Sequence, residues 1–313
     1  MEADFVALPV RPRIAVLMAV FQGADWLSEQ LESILAARDV DLTVFASIDP
    51  STDASDDLLQ AWASRDARVV VLPKIAPSGG AARNFFRLFR DVDLSGYDYI
   101  SLADQDDVWL DCKLARACKL LREDEAEGYS SNVLAFWPDG RERLIEKAFP
   151  QRRWDFLFEG PGPGCTFVLT AALGKNLQAF VAAHWSKLMG VGYHDWFIYA
   201  FVRARGSRWV IDSWPGLRYR QHNHNELGAN SGWFAAWQRW KKVSNGWALS
   251  QTALIVDLLG LSAEPFVREW QTRGDCWLAR NANQCRRQLL GRFLFFLICL
   301  LVCVSGKRFR SHA

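Results

Sequence analysis

The 313-residue sequence contains no Cys-x-x-Cys pair, no Gly-x-Gly-x-x-Gly run and no Gly-x-x-x-x-Gly-Lys-[Ser/Thr] run. The first absence, with seven cysteines scattered along the chain, argues against a zinc ribbon or a disulfide scaffold; cysteines used this way read as the reduced thiols of a cytoplasmic protein. The other two argue against a Rossmann dinucleotide site and a P-loop. Nothing repeats internally. Met1–Val10 carries acidic residues and no apolar core, so no signal peptide is expected. The apolar run Phe293–Val304 stops at twelve residues, short of the ~20 that a membrane-spanning helix needs.

What is present is a globular composition, 50% hydrophobic and 23% charged, in a chain long enough for one large domain or a domain with an appendage. A net charge of +2 hides an asymmetry. From Ser231 onward there are twelve Lys/Arg against four Asp/Glu, a balance of +8, so the first 230 residues carry −6. An acidic body suits a cleft that holds a cation. A basic tail containing Trp233, Trp237, Trp240 and Trp247 suits an anionic lipid surface or another polyanion. The plain alternative is a surface whose charge fell unevenly.

Short apolar runs alternate with helical patterns through the first half. Ile14–Val20, Leu42–Ile48, Arg68–Leu72 and Tyr99–Ala103 read as strands. Helices are predicted from about Trp26 to Ala37, from Asp53 to Ser64, over Ser78–Arg90 and over Leu110–Glu123. Such alternation predicts an α/β fold with a mostly parallel sheet, whose ligands sit beyond the carboxyl ends of the strands. Three strand ends carry polar clusters, Phe21–Asp25, Asp49–Asp53 and Asp104–Asp107, and are expected to meet in one crevice. After Asp124 the pattern loosens. Asn132–Phe136, Leu144–Lys147 and Cys165–Thr170 are candidate strands, Ala171–His184 and the stretch after His194 are helices, and Arg208–Ile211 and Leu217–Gln221 look like edge strands.

The most informative cluster is Asp104-Gln105-Asp106-Asp107, three carboxylates in four residues at the end of an apolar strand. Crowded carboxylates repel one another and raise each other's pKa. A hard divalent ion, Mg²⁺ or Mn²⁺, offsets that repulsion and is usually shared between one or two carboxylates and substrate phosphates. The structural alternative is a solvated acidic turn at the start of the next helix. Asp49, at the tip of the second strand, can accept a hydrogen bond from a pyrimidine N–H. Gly79-Gly80, before Arg83, let backbone approach a ligand at a helix N-terminus.

In chain order the motifs are Val-Phe-Gln-Gly, Asp-Pro-Ser-Thr-Asp, Gly-Gly-Ala-Ala-Arg-Asn-Phe, Leu-Ala-Asp-Gln-Asp-Asp-Val-Trp, Gly-Cys-Thr, His-Asp-Trp and Tyr-Arg-Gln-His. This series resembles family 2 glycosyltransferases, most nearly their bacterial rhamnosyltransferase-like members, from about Ile14 to Asn225. The resemblance implies a GT-A type fold, a mostly parallel sheet flanked by helices with a Rossmann-like nucleotide-binding half. It implies an inverting, metal-dependent transfer of a sugar, rhamnose being the candidate, from a dTDP- or UDP-sugar to a polysaccharide or lipid-linked acceptor. By position, Asp104 and Asp106 form the Asp-x-Asp motif, with Asp104 near the nucleotide ribose and Asp106 a metal ligand. Asp49 matches the base-recognition aspartate, although Ile48-Asp49-Pro50-Ser51 stands where the family usually has Asp-Asp-Gly-Ser. Asp195 matches the catalytic base, His222 a later histidine able to bind metal or diphosphate, and Arg83 a nucleotide contact.

Bland roles stand beside these. Asp195 can cap a helix, Asp107 likewise, His222 can belong to a polar loop, Arg83 can pair with a neighbouring acid, and Trp109 and Trp196 can be packing residues. Residues 1–230 are expected to form the glycosyltransferase domain. Residues 231–313 form a basic, Trp-rich helical region that holds the protein at the inner face of the cell membrane, with 293–304 interfacial, re-entrant or buried. No nucleic-acid partner is expected. The competing readings are a nucleotidyltransferase, which lacks its basic residue near Phe21–Asp25, and a catalytically silent scaffold of the same fold.

Overall fold

Strand β1 (Arg13–Val20) sends its side chains alternately into two cores: Ile14, Val16, Met18 and Val20 to one, Ala15 and Leu17 to the other. Burial on both faces is why this strand reads as an unbroken apolar run. The computed structural model describes residues 11–222 and 246–304. After β1 come α1 (Leu27–Leu35), β2 (Asp41–Ile48), α2 (Ser55–Arg65), β3 (Val69–Val71), α3 (Ala81–Asp91) and β4 (Tyr99–Ala103). The chain continues through β5 (Val108–Trp109), α4 (Lys113–Glu123), β6 (Gly128–Ser131), β7 (Val133–Phe136) and β8 (Glu142–Ile145). Then follow β9 (Val168–Thr170), α5 (Ala171–Ala183), α6 (Trp185–Leu188), α7 (His194–Ala204), β10 (Trp209–Asp212) and β11 (Leu217–Arg220). Among the described residues five helices follow: α8 (Trp247–Leu258), α9 (Pro265–Arg273), α10 (Asp275–Arg280), α11 (Ala282–Cys285) and α12 (Leu289–Val304).

Seven strands form the main sheet in the order β10-β6-β9-β4-β1-β2-β3. Only β9 runs against the others, being antiparallel to both β4 and β6. In register, Val20 of β1 faces Ile48 of β2 and Met18 faces Ala103 of β4, so the three polar strand ends leave the sheet side by side. A second sheet, β5-β11-β7-β8, stands beside this edge. The mostly parallel α/β architecture agrees with the expectation.

Several local expectations are corrected. The helix expected from Leu110 starts at Lys113, because Val108–Trp109 pair with β11 first. The strand expected from Asn132 starts at Val133, and Asn132 is the joint between β6 and β7, which belong to different sheets. β11 is not an edge strand but lies between β5 and β7. Cys165–Thr170 opens with a single tight turn, Gly164–Thr166, before β9 begins. The cysteines are not all free, for Cys276 and Cys303 form a disulfide across 27 residues. The tryptophans at 233, 237 and 240 lie outside the described residues.

The C-terminal helices share a core with the sheet. Ile255, Val267, Trp270, Leu278, Cys285 and Cys299 join the cluster that contains Phe156, Phe197 and the β4 side chain Ile100. Trp154 stacks on Phe266 at 4.9 Å. Beneath this packing the fully buried Asp155 accepts from the Tyr199 hydroxyl at 3.2 Å and faces Arg203 at 3.3 Å and Arg287 at 3.9 Å. Burial lifts its carboxyl above the ordinary range, against the opposing pull of Arg203 and then Arg287. Among the described residues no helix is long and apolar enough to cross a membrane.

Candidate active site

The three strand ends are stitched together by their own polar side chains. Gln105 of the β4 end donates to the Phe21 carbonyl at 2.6 Å, and Gln30 of α1 donates to the Asp104 carbonyl at 2.9 Å. From the β2 end, the Ser51 hydroxyl accepts from the Gln22 N–H at 3.0 Å and Asp53 accepts from Ala24 at 2.9 Å. Ser55 at the start of α2 accepts from Gly23 N at 2.8 Å. Loops that would otherwise expose bare backbone thus form one rim at the carboxyl edge of the sheet.

The three carboxylates of the β4 end take different positions. Asp106 meets His222, with Oδ2 and Nε2 2.7 Å apart, and the two residues are separated by 116 positions in the chain. Trp26 stacks flat on the same imidazole. Arg220, two residues before His222, donates from Nε to the Asp106 carbonyl at 2.8 Å and pairs with Glu29 of α1. Asp104 and the fully buried Asp107 converge with Cys165, their ligand atoms all within 4.8 Å of one another. Burial, then the charges of Asp106 and Asp104, push the Asp107 carboxyl well above its ordinary value. Burial pushes the Cys165 thiol up as well and the Lys113 ammonium down to about 7. Asp107 therefore caps no helix: α4 starts after Cys112 with no side-chain cap, and Asp107 forms the buried floor of the rim.

Asp49 directly follows β2, its carboxylate fixed by Ser78, whose N–H donates to Oδ1 at 3.0 Å and whose hydroxyl donates to Oδ2. Gly79 and Gly80 follow with φ of 86° and 140°, a turn that suits glycine and feeds α3. Asn84 of the Gly-Gly-Ala-Ala-Arg-Asn-Phe motif and Arg87, three residues later, face inward. Asn84 donates to the Ser47 carbonyl at 3.0 Å and Arg87 to the Ser47 hydroxyl at 2.8 Å, which seats α3 on the end of β2. Arg83 does not pair with an acid through Nε, which donates to the Met189 carbonyl at 2.9 Å.

Asp195 lies in the first turn of α7, two residues past the cap position, which Tyr193 holds. Its Oδ1 accepts the N–H of Trp196 at 2.7 Å. Trp196 is a packing residue: it is buried and its indole donates to the Phe156 carbonyl at 2.9 Å. His194 stacks on Phe85 of α3 at 4.0 Å, and burial pushes its imidazole down to about 3, so it is neutral. Gly164 fits against His194 so closely that a Cβ there would sit 2.4 Å from Nε2. Its neighbour Cys165 is the residue that meets Asp104 and Asp107. The Gly-Cys-Thr turn therefore joins the acidic rim to the start of α7.

The motifs that lie apart in the sequence thus meet along one rim, and comparison with known proteins places the chain in a family. The sequence profile of glycosyl transferase family 2 matches residues 15–167. Over 288 residues, 91% of this chain and 99% of the relative, the sequence is 36% identical to dTDP-rhamnosyl transferase RfbG of Shigella flexneri. The chain belongs to glycosyl transferase family 2. As a glycosyltransferase it shares its GT-A fold with TarS of S. aureus, solved in complex with UDP-GlcNAc, at a TM-score of 0.55 and 12% identity over 95% of this chain and 93% of that one. The mannosyltransferase PcManGT of Pyrobaculum calidifontis, solved with GDP-Man and Mn²⁺, superposes with a TM-score of 0.50 and 14% identity, covering 96% of this chain and 89% of that one. Family membership sets aside the nucleotidyltransferase reading.

Two donor sets in this glycosyltransferase can be tested for a divalent ion. Asp106 and His222 supply a carboxylate oxygen and an imidazole nitrogen at one point, which fits Mn²⁺ well and Mg²⁺ through the oxygen. Asp104, Asp107 and Cys165 fit poorly, because a buried thiol with a raised pKa stays protonated and a hard ion avoids sulfur. Sequence reasoning named Asp106 and His222 separately. It missed Trp26, Glu29, Gln30, Ser78 and Arg220, which hold the named residues in place. Arg220 alone had a signal, as the neighbour of His222 in Tyr-Arg-Gln-His.

Proposed function

We propose that this glycosyltransferase moves a rhamnosyl unit from dTDP-rhamnose onto a growing bacterial polysaccharide or lipid-linked glycan, with inversion at the anomeric carbon and with a divalent metal ion. The contact between Asp106 and His222 at the mouth of β4 carries this reading, in a chain collinear with a dTDP-rhamnosyl transferase. Asp49, its carboxylate oriented by Ser78, is the partner for a pyrimidine N–H, which suits thymine and uracil alike. Asp104 takes the ribose, and Arg83 lies beside the nucleotide at the start of α3. Asp195 is the general base: it accepts the proton of the acceptor hydroxyl as that oxygen attacks the anomeric carbon. The bond from that carbon to the diphosphate breaks with its electron pair leaving on the phosphate oxygen, so one displacement inverts the centre. A Mg²⁺ or Mn²⁺ ion held by Asp106 and His222 supplies positive charge for the departing diphosphate. Residues 1–230 do this chemistry, and residues 231–313 keep the protein on the inner face of the membrane.

The test is transfer from a panel of nucleotide sugars, with the anomeric configuration of the product read by NMR. Asp195→Asn is expected to abolish transfer while keeping donor binding. Asp106→Ala is expected to abolish transfer and weaken donor binding when Mn²⁺ is present. Full turnover by either variant overturns the assignment of that residue, and transfer of another sugar with none from dTDP-rhamnose overturns the donor.

A further inference from the structure

The exposed large apolar side chains of the described chain are concentrated on α12. Leu289, Leu290, Phe293, Leu294, Leu297 and Leu301 all face outward, Leu289 and Leu290 with 78% and 67% of their surface open. Their spacing of three, four and eight positions puts them on one side of the helix. The other side is fixed to the body: Cys299 is buried, Phe295 meets the Phe158 ring at 5.1 Å, and Cys303 is bonded to Cys276. From Leu289 to Val304 the one polar side chain is Arg292, and it turns inward to the carbonyls of Arg286 at 3.0 Å and Arg287 at 2.7 Å. A helix facing water should carry polar residues on that side, and a continuous apolar face of this size marks an interaction surface.

We propose that the outer face of α12 is a docking surface for an anionic lipid bilayer, with the helix lying flat in the interface. The proposal rests on the peripheral-membrane part of the function above and names the residues that enter the lipid. Sixteen residues at ~1.5 Å each give about 24 Å, short of the ~30 Å hydrocarbon core, so the helix cannot span it. A stripe along one side instead suits burial to the depth of the acyl boundary. Charge selects the occupant. Two residues separate the helix end from the run Lys307-Arg308-Phe309-Arg310, and the region from Ser231 carries +8. Anionic headgroups complement that charge, whereas a second copy of the chain would bring two basic tails together.

Full-length protein is sedimented with vesicles of phosphatidylglycerol and phosphatidylethanolamine, and with vesicles of phosphatidylcholine alone. Wild type is expected to bind the anionic vesicles, more weakly at high salt, and to leave the neutral ones. The double variant Leu294→Glu/Leu297→Glu is expected to lose about tenfold or more of that binding. Lys307→Glu/Arg308→Glu/Arg310→Glu is expected to lose its salt-sensitive part. Melting temperature and light scattering are measured on each variant. Equal binding by wild type and the double variant overturns the proposal. So does a wild-type dimer that the double variant dissolves, which makes a second copy the occupant, or a large drop in melting temperature, which makes the face an internal contact. Vesicle binding needs no sugar nucleotide, so failure here and failure of the transfer reaction are read independently.

Discussion

The Trp26 indole lies on the His222 imidazole with ring centroids 3.9 Å apart and planes 13° from parallel. Trp26 immediately precedes α1, so the rim of one strand end fixes the ring plane of a residue that arrives almost two hundred positions later. That stack aims Nε2 at Asp106. Groups that orient a metal ligand typically contribute about 10-fold or more to affinity. Trp26→Ala is expected to weaken Mn²⁺ binding by about that factor, read by the EPR signal of free Mn²⁺, whereas Trp26→Phe keeps most of it. Equal Mn²⁺ affinity in wild type and Trp26→Ala makes the stack mere packing.

His194 makes stability depend on pH. Its folded-state value of about 3 lies below the unfolded value of 6.5, so the unfolded chain gains a proton first as acid is added. The contribution is fully present above the unfolded value and declines as pH falls toward 3, by up to ~1.4 kcal/mol per pH unit. Melting temperature is expected to drop from about pH 7 to about pH 5, and His194→Gln to flatten that part of the curve. An unchanged slope in the variant would assign the acid sensitivity to other groups.

Gly164 leaves no room for a side chain, since its neighbour His194 is held against Phe85. Overpacking of this kind costs about 1–3 kcal/mol. Gly164→Ala is therefore expected to lower the melting temperature and also kcat, because the displaced ring adjoins Asp195. A variant that melts lower yet turns over normally would separate His194 from the chemistry.

The Cys276–Cys303 bridge closes a loop of 27 residues, for which chain entropy gives about 2–4 kcal/mol. Thermal melts with and without dithiothreitol are expected to differ accordingly, and Cys303→Ser to behave as the reduced protein and ignore the reductant. No response of the wild type would mean that the pair is open in solution, as in a reducing compartment.

The first half of the fold was legible because buried parallel strands leave apolar runs that end in polar clusters, and β1, β2 and β4 carry that signature without interruption. The second half was not, because tertiary contacts override local pattern there. Asn132 looks like the start of a strand but is the joint between two: its amide donates to the Ser213 carbonyl at 2.8 Å and its oxygen receives Lys147 N at 2.6 Å. β11 resembles an edge strand because Arg218 and Arg220 alternate with apolar residues. Their guanidinium groups instead cover the Phe136 ring of the adjacent strand, at 4.4 and 4.6 Å. At the site, Asp106 and His222 could be named from motif order. That Asp107 is a buried floor, and that Trp26 faces His222, depends on chain crossings that no local window contains.

Arg286 and Arg287 reach from the end of α11 to the loop before the Gly-Cys-Thr turn. Arg286 donates to the Phe158 carbonyl, and Arg287 to the Glu159 carboxylate and the Gly160 carbonyl, each at 2.6 Å. Gly160 in turn lies against the backbone of Trp196, the residue after Asp195. The last helices and the start of α7 are thus clamped to the same few atoms. On the proposals above, a protein seated by α12 would carry Asp195 at one fixed height above the bilayer, and the reach of a lipid-linked acceptor, rather than its diffusion, would decide which sugar hydroxyl arrives there.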